Sequence, residues 1–293
     1  MSLVPVYRQR ASALHAARAG AAACFCCAFA LAAALHEHPL VLCAALGGVL
    51  LAGLGAGVGR EVARSLMLAL PLAVLVAIMN PLVYQEGDTL LIRGADVLGR
   101  RIDVTLEALV AGGLAGLRVV VIVAALGLLS AAVDPDELLK LFRRVSYRSA
   151  LTASLATRLV PVLARDASRM GDAARCRAVQ PSRAALARAA VGGALERAVE
   201  VAAALEVRGY ALAGRPARAR RPVSRHDVRV ALAAFGVVAV AVAAEIAGAG
   251  SVEPYPRLDL AVGPWEVALA LVILGSAALP FAGRTARLGV AHA

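Results

Sequence analysis

Lysine is almost missing from this sequence. Lys140 is the single example, so arginine supplies the rest of the 31 basic side chains. Aromatic residues fall to 4% and charged residues to 17%, against about 25% charge in a soluble domain. The shortage of rings excludes the aromatic stacking platform of a single-strand nucleic-acid binder, although the formal net charge is +11. A basic balance without that platform suits an anionic membrane surface or an acidic protein partner, and not nucleic acid. Catalytic and metal-binding signatures are also absent. There is no GxxxxGK[ST] loop, and no glycine loop precedes Lys140, so the chain is not expected to hydrolyse ATP by itself. No HExxH motif, Asp-rich metal cluster, paired CxxC spacing of a zinc site or Ser/His/Asp set is present, and no resident cofactor is expected. Of the five cysteines, Cys24, Cys26, Cys27 and Cys43 lie in apolar runs and read as small apolar side chains, and Cys176 stands apart. His36-Glu37-His38 offers two imidazoles beside Pro39 with no evident third ligand, and reads as a turn between spans.

Apolar residues, in contrast, are abundant: 60% of 293 residues, with a mean hydropathy of +0.75. They are gathered into runs: Ala17–Leu35, Leu40–Val58, Ser65–Tyr84, Val104–Ala131, Val230–Gly250 and Pro264–Ala282. At about 1.5 Å per residue, each run suits a hydrocarbon core about 30 Å thick. The expected fold is an all-α integral membrane protein with about six spans. The first run is followed at once by others, so it reads as a true span and not a cleaved signal. Arg8, Arg10, Arg18, Arg60, Arg64, Arg284 and Arg287 all fall on one side of this arrangement. The positive-inside rule then puts both termini in the cytoplasm. Tyr84, Tyr255 and Trp265 fall at expected interfaces, where amphipathic rings settle. Gly53/Gly57, Gly55/Gly59 and Gly112/Gly116 are spaced for close helix packing. Arg118 sits inside the fourth run, where a charge must face protein or water. The simpler reading is a bond to a neighbouring helix, and the sharper one is a place in a moving interface.

Between the fourth and fifth runs, residues 132–225 carry 18 Lys/Arg against 8 Asp/Glu and contain no stretch that could cross a bilayer cheaply. The chain is thus expected to have a membrane domain over residues 1–131, a cytoplasmic domain over 132–225 and a second membrane segment over 226–293. Asp134-Pro135-Asp136-Glu137 reads as a helix start: a capping acid, a first-turn proline and acids at the positive helix end. A short helix over Asp136–Arg144 would follow. On a helical wheel Ser149–Arg177 places Arg158, Arg165, Arg169 and Asp172 on one face. Ala156, Val160, Leu163, Ala167 and Met170 fall opposite, and Pro161 is an expected kink. Ser182–Arg208 is rich in strong helix formers. It ends at Glu206-Val207-Arg208-Gly209-Tyr210, where Gly209 suits the left-handed residue after a helix. Arg177 and Arg208 are each placed at the end of a long helix. There each guanidinium either complements the helix dipole or serves as a bidentate contact for a carboxylate.

This pair of helix ends resembles the coupling module of the transmembrane component of energy-coupling factor transporters, the family of the cobalt-transport permease subunit. That family carries an Ala-Arg-Gly motif at the end of each of two long cytoplasmic helices. Here Val207-Arg208-Gly209 matches the second motif apart from Val for Ala, while Cys176-Arg177-Ala178 keeps only the arginine of the first. Asn80-Pro81, Leu117-Arg118, Asp136-Glu137-Leu138 and Arg158-Leu159-Val160-Pro161 are similar to other family positions in the same order. The resemblance implies a non-catalytic subunit in the cell (inner) membrane. It would dock two ATP-binding cassette ATPases through Arg177, Ala178, Glu206, Arg208 and Gly209, with Arg118, Arg158 and Pro161 acting in helix packing and bending. ATP would be held by those partners. A separate membrane-embedded substrate-binding subunit would carry the vitamin or transition-metal ion. Two other readings remain: a self-sufficient permease, which needs several intramembrane polar groups at one depth, and an integral-membrane lipid-modifying enzyme, for which Glu37, Glu86 and Asp88 are the available acids.

Overall fold

The computed structural model describes residues 7, 9–83, 89–92, 96–97, 100–101, 104–142, 147–177, 181–209, 223–248 and 263–282. Within these the chain forms α1 (Ala13–Ala16), α2 (Ala19–Leu35), α3 (Pro39–Gly55) and α4 (Gly59–Val83). Four strand fragments follow: β1 (Leu90–Ile92), β2 (Asp96–Val97), β3 (Arg100–Arg101) and β4 (Val104–Thr105). Then come α5 (Leu106–Ala132), α6 (Pro135–Phe142), α7 (Tyr147–Arg175), α8 (Arg183–Val207), α9 (Arg225–Ile246) and α10 (Pro264–Ala278), the last continued by a 3-10 turn, Leu279–Phe281. Four helical stretches are long and apolar enough to cross a membrane: Gly59–Pro81, Leu106–Ala132, Arg225–Ile246 and Pro264–Phe281. Helices α2 and α3 are equally apolar, with 17 residues each, and so about 25 Å long. These six are the runs expected from hydropathy. The fold is an α-helical integral membrane protein.

The chain divides into two compact units. The membrane unit comprises residues 1–138 and 223–293, and the inserted unit residues 139–222. In the membrane unit α2 packs on α5 and α9, α3 packs on α10, and α4 pairs along its length with α5. The core is apolar: Phe25 and Phe29 meet edge to face at 5.2 Å, with Leu42, Val49, Val121, Leu128 and Ile273 fully buried around them.

Local chemistry sets the helix ends. Thr105 caps α5 by accepting from the Ala108 N–H, and Ser224 with Asp227 forms a complete capping box on α9. Helix α3 starts on Pro39, whose missing N–H costs nothing at that position. The α3–α4 turn passes through Gly57 at φ +73°, a left-handed conformation that favours glycine. This corrects the reading of Gly53/Gly57 and Gly55/Gly59 as packing pairs on one helix, because α3 stops at Gly55. Gly53 instead faces Val62, and Gly55 faces the Phe281 ring. The pair Gly112/Gly116 does pack as a pair. A Cβ at either position would lie 2.6 Å from the Ala77 carbonyl oxygen or 2.8 Å from that of Ala73. Two turns of α5 therefore touch the α4 backbone itself.

The strand fragments were not foreseen. β1 pairs antiparallel with β4, and β2 with β3, nesting one small hairpin inside another between α4 and α5. Glu107 fastens the outer pair to α5: its Oε1 accepts from the Thr89 N–H at 3.2 Å and from the Thr89 hydroxyl.

In the inserted unit α7 and α8 face each other across a cleft of about 640 Å³ lined by Leu163, Ala167, Met170, Ala190 and Ala194 among others, with an Asp166–Arg197 ion pair beside it. The apolar face expected for α7 is thus used only from Leu163 onward. Ala156 and Val160 are exposed and lie outside the cleft, whose α7 lining runs from Leu163 to Met170. Helix α8 buries no residue and exposes Val191, Leu195, Val199 and Val207.

Candidate functional site

The two helix ends singled out by sequence have similar designs. Helix α7 stops at Arg175, which pairs with Asp172 one turn back at 3.6 Å. Cys176 and Arg177 follow in a bend, and the Arg177 N–H donates to the Ala174 carbonyl at 3.2 Å. Helix α8 stops at Val207, and Arg208 is its C-cap, with its N–H donating to the Ala204 carbonyl at 3.2 Å. Gly209, at φ +73°, donates its N–H to the Glu206 carbonyl at 2.9 Å. The left-handed glycine turns the chain away from the helix axis. Both arginines therefore lie one or two residues beyond the helix, not in its last turn.

The side chains of Glu206, Arg208, Cys176 and Arg177 are exposed, and Val207 is 90% exposed. Among the described residues neither Arg177 nor Arg208 forms an ion pair. Each is a charged fork on an ordered stub, held by backbone bonds and open to solvent. Ala178 lies outside the described residues. Arg158 is exposed on α7, which runs unbroken through Pro161. The Arg165 Nε donates to the Pro161 carbonyl at 3.2 Å.

Arg118 is the thirteenth of 27 residues in α5. Its Nη2 donates to Glu37 Oε1 at 2.8 Å and to the His36 carbonyl at 3.4 Å, so the middle of α5 lies level with the α2–α3 connection. The short α2 explains this depth: α5 is about 40 Å long and α2 about 25 Å. His36 and His38, read as parts of an open turn, are both buried. The His36 Nε2 donates to the Ala241 carbonyl at 3.1 Å, and its Nδ1 lies 3.9 Å from Glu245. Burial holds the His36 ring below its ordinary pKa, against the smaller opposing pulls of that carbonyl and of Glu245. Among the described residues no three His, Cys, Asp or Glu side chains gather where they could hold a metal ion.

Sequence reasoning passed over two buried acids. Glu61 lies 3.7 Å from Arg10, and Asp227 lies 3.4 Å from the Arg18 Nε. The S-x-x-D spacing of Ser224 and Asp227 was the available signal for the second.

The description "CbiQ: Cobalt transport protein" belongs to a family model that matches residues 10–217, from the segment before α1 to beyond the second arginine tip. The chain belongs to the CbiQ family. No curated protein matches it. As a CbiQ-family chain with six apolar helices, it is a multi-pass membrane protein of a transport family. The match covers the whole inserted unit except its last five residues, so the matched region spans both exposed arginine tips.

Proposed function

We propose that this CbiQ-family chain is the energy-coupling subunit of an ATP-driven importer. The observation that carries the reading is the pair of tips: Arg177 and Arg208 stand exposed and without ion pairs among the described residues, each fixed by backbone bonds at the end of a helix of at least 25 residues. Each fork fits a carboxylate in a groove on an ATP-binding cassette ATPase, one groove per arginine. Glu206, Gly209 and Ala178 would line these contacts. ATP binds only in those partners.

When the ATPases close, their grooves draw together and carry α7 and α8 with them. The membrane helices respond, and a separate membrane-embedded substrate-binding subunit is reoriented and releases a vitamin or transition-metal ion inside. The arginine excess near the N-terminus, at the α3–α4 turn and in the inserted unit supports a cytoplasmic side for these regions, in a cell whose inner membrane would hold the chain.

Co-purification tests the proposal. The tagged chain is expected to bring down two nucleotide-binding chains and one small membrane protein. Losing one partner of a desolvated charge pair costs about 2–5 kcal/mol, so Arg208→Ala is expected to weaken ATPase capture at least about 30-fold. Full capture and full ATP-dependent uptake by an Arg177→Ala/Arg208→Ala double variant would refute it.

A further inference from the structure

The inserted unit is joined to the membrane unit at two places, after Leu138 and before Val223. The residue that opens α2, Arg18, is fastened at the second. At the return, Asp227 in the first turn of α9 is 7% exposed and gathers three donors. Its Oδ2 accepts from the Ser224 N–H at 2.8 Å, which closes the capping box, and faces the Arg18 Nε at 3.4 Å. Its Oδ1 accepts from the Arg18 N–H at 2.6 Å. One carboxylate therefore caps α9 and grips the residue that opens α2. At the departure, Asp134 accepts from the Asp136 N–H at 2.9 Å and sets the start of α6. Burial first, then the charges of Asp134 and Glu137, push the Tyr7 hydroxyl above its ordinary pKa. In the same N-terminal stretch Arg10 is tied to Glu61 of α4 at 3.7 Å.

The geometry points to Arg18 and Asp227 as positioning residues that form a fixed joint at the root of the inserted unit. They clamp the start of α9 to the start of α2, so that force arriving through residues 139–222 moves membrane helices instead of bending the junction. This rests on the coupling function proposed above. A lever transmits work only if its root is stiffer than its load. The Asp227 joint is stiff because each of its members depends on the others. Removing the carboxylate takes the acceptor from the Ser224 and Arg18 N–H groups and the nearby charge from a half-exposed guanidinium. Removing the guanidinium leaves a carboxylate that is nine-tenths buried with only neutral donors.

The test uses the full chain assembled in liposomes with its two ATPases and substrate-binding subunit. Arg18→Gln keeps the backbone bond and the α9 capping box and removes only the guanidinium. ATPase capture and ATP hydrolysis are expected to stay within twofold of wild type, while uptake per ATP hydrolysed falls at least tenfold. Asp227→Asn is expected to act in the same direction and more strongly. If it fails to assemble, Arg18→Gln alone decides. Unchanged uptake per ATP in assembled Arg18→Gln overturns the joint. So does loss of ATPase capture, which would make Arg18 a docking residue. If wild type captures no ATPase, the coupling function fails separately, and the joint is then read in the purified chain by amide hydrogen exchange. Arg18→Gln should speed exchange at residues 225–229 at least tenfold without changing the middle of α5, and equal rates would overturn it.

Discussion

The contact between α4 and α5 gives a test in which neighbouring residues should behave oppositely. A Cβ built on Gly112 meets the Ala77 carbonyl oxygen at 2.6 Å, the Ala77 carbonyl carbon at 3.3 Å and the Asn80 Cβ at 3.2 Å. A Cβ on Gly113 meets nothing within 4 Å. Gly113→Ala only removes backbone freedom from the unfolded chain, and is expected to stabilise by about 0.5–1 kcal/mol. Gly112→Ala gains the same amount but must push a backbone carbonyl away by several tenths of an ångström. The obstacle is main chain, so no rotamer can relieve it. Overpacking of this kind costs about 1–3 kcal/mol. The two variants should therefore differ by about 1–3 kcal/mol, with Gly113→Ala the more stable. Gly116→Ala, 2.8 Å from the Ala73 carbonyl, should resemble Gly112→Ala. The Gly112→Ala/Gly116→Ala double variant should cost less than the sum, because one separation of the helices relieves both clashes. Unfolding of the detergent-solubilised chain by titration with a denaturing detergent, followed by circular dichroism, measures all four proteins. Equal midpoints for Gly112→Ala and Gly113→Ala would refute the backbone contact.

Acidification should weaken the membrane unit through His36. Its folded pKa lies below the ordinary value of about 6.5, so the unfolded chain binds the proton first. The stability this provides is complete above about pH 6.5 and falls as pH drops below it. His36→Gln can still offer the Ala241 carbonyl an N–H and should flatten that region of a stability–pH curve. At the second tip, Gly209→Ala forces φ +73° on a residue with a Cβ and should cost about 1 kcal/mol locally. The expected readout is faster hydrogen exchange at the end of α8 and weaker ATPase capture, with little change in overall melting. The Arg118–Glu37 pair is 28% and 47% exposed at its two side chains, so a double-mutant cycle should return no more than about 1 kcal/mol.

Hydropathy alone made the six membrane helices legible, and their boundaries moved by only a few residues because capping chemistry is local: Pro39, Thr105, Ser182 and Ser224 each start a helix close to where apolar periodicity begins. The second arginine tip was legible for the same reason, since Gly209 after a long helix marks its end wherever the helix goes. Asp227 was hidden. Its capping-box spacing is visible in sequence, but the donor that makes it a joint is Arg18, 209 positions away. The histidines of the α2–α3 connection were misjudged because a polar His-Glu-His beside proline looks like a surface turn. Only the approach of α9 supplies the Ala241 carbonyl that lets His36 be buried.

Order along the chain was enough to establish that this protein crosses a membrane several times and that two arginines end long helices. Transfer energy, charge bias and helix capping all depend on residues close together in the sequence. Packing had to supply the rest: that Gly112 and Gly116 meet main chain while Gly113 meets nothing, that Arg118 bonds the α2–α3 connection, and that Arg18 locks onto Asp227. Each of those depends on a distance between residues remote in sequence, and a backbone approach or a long-range ion pair leaves no periodic trace along a single chain.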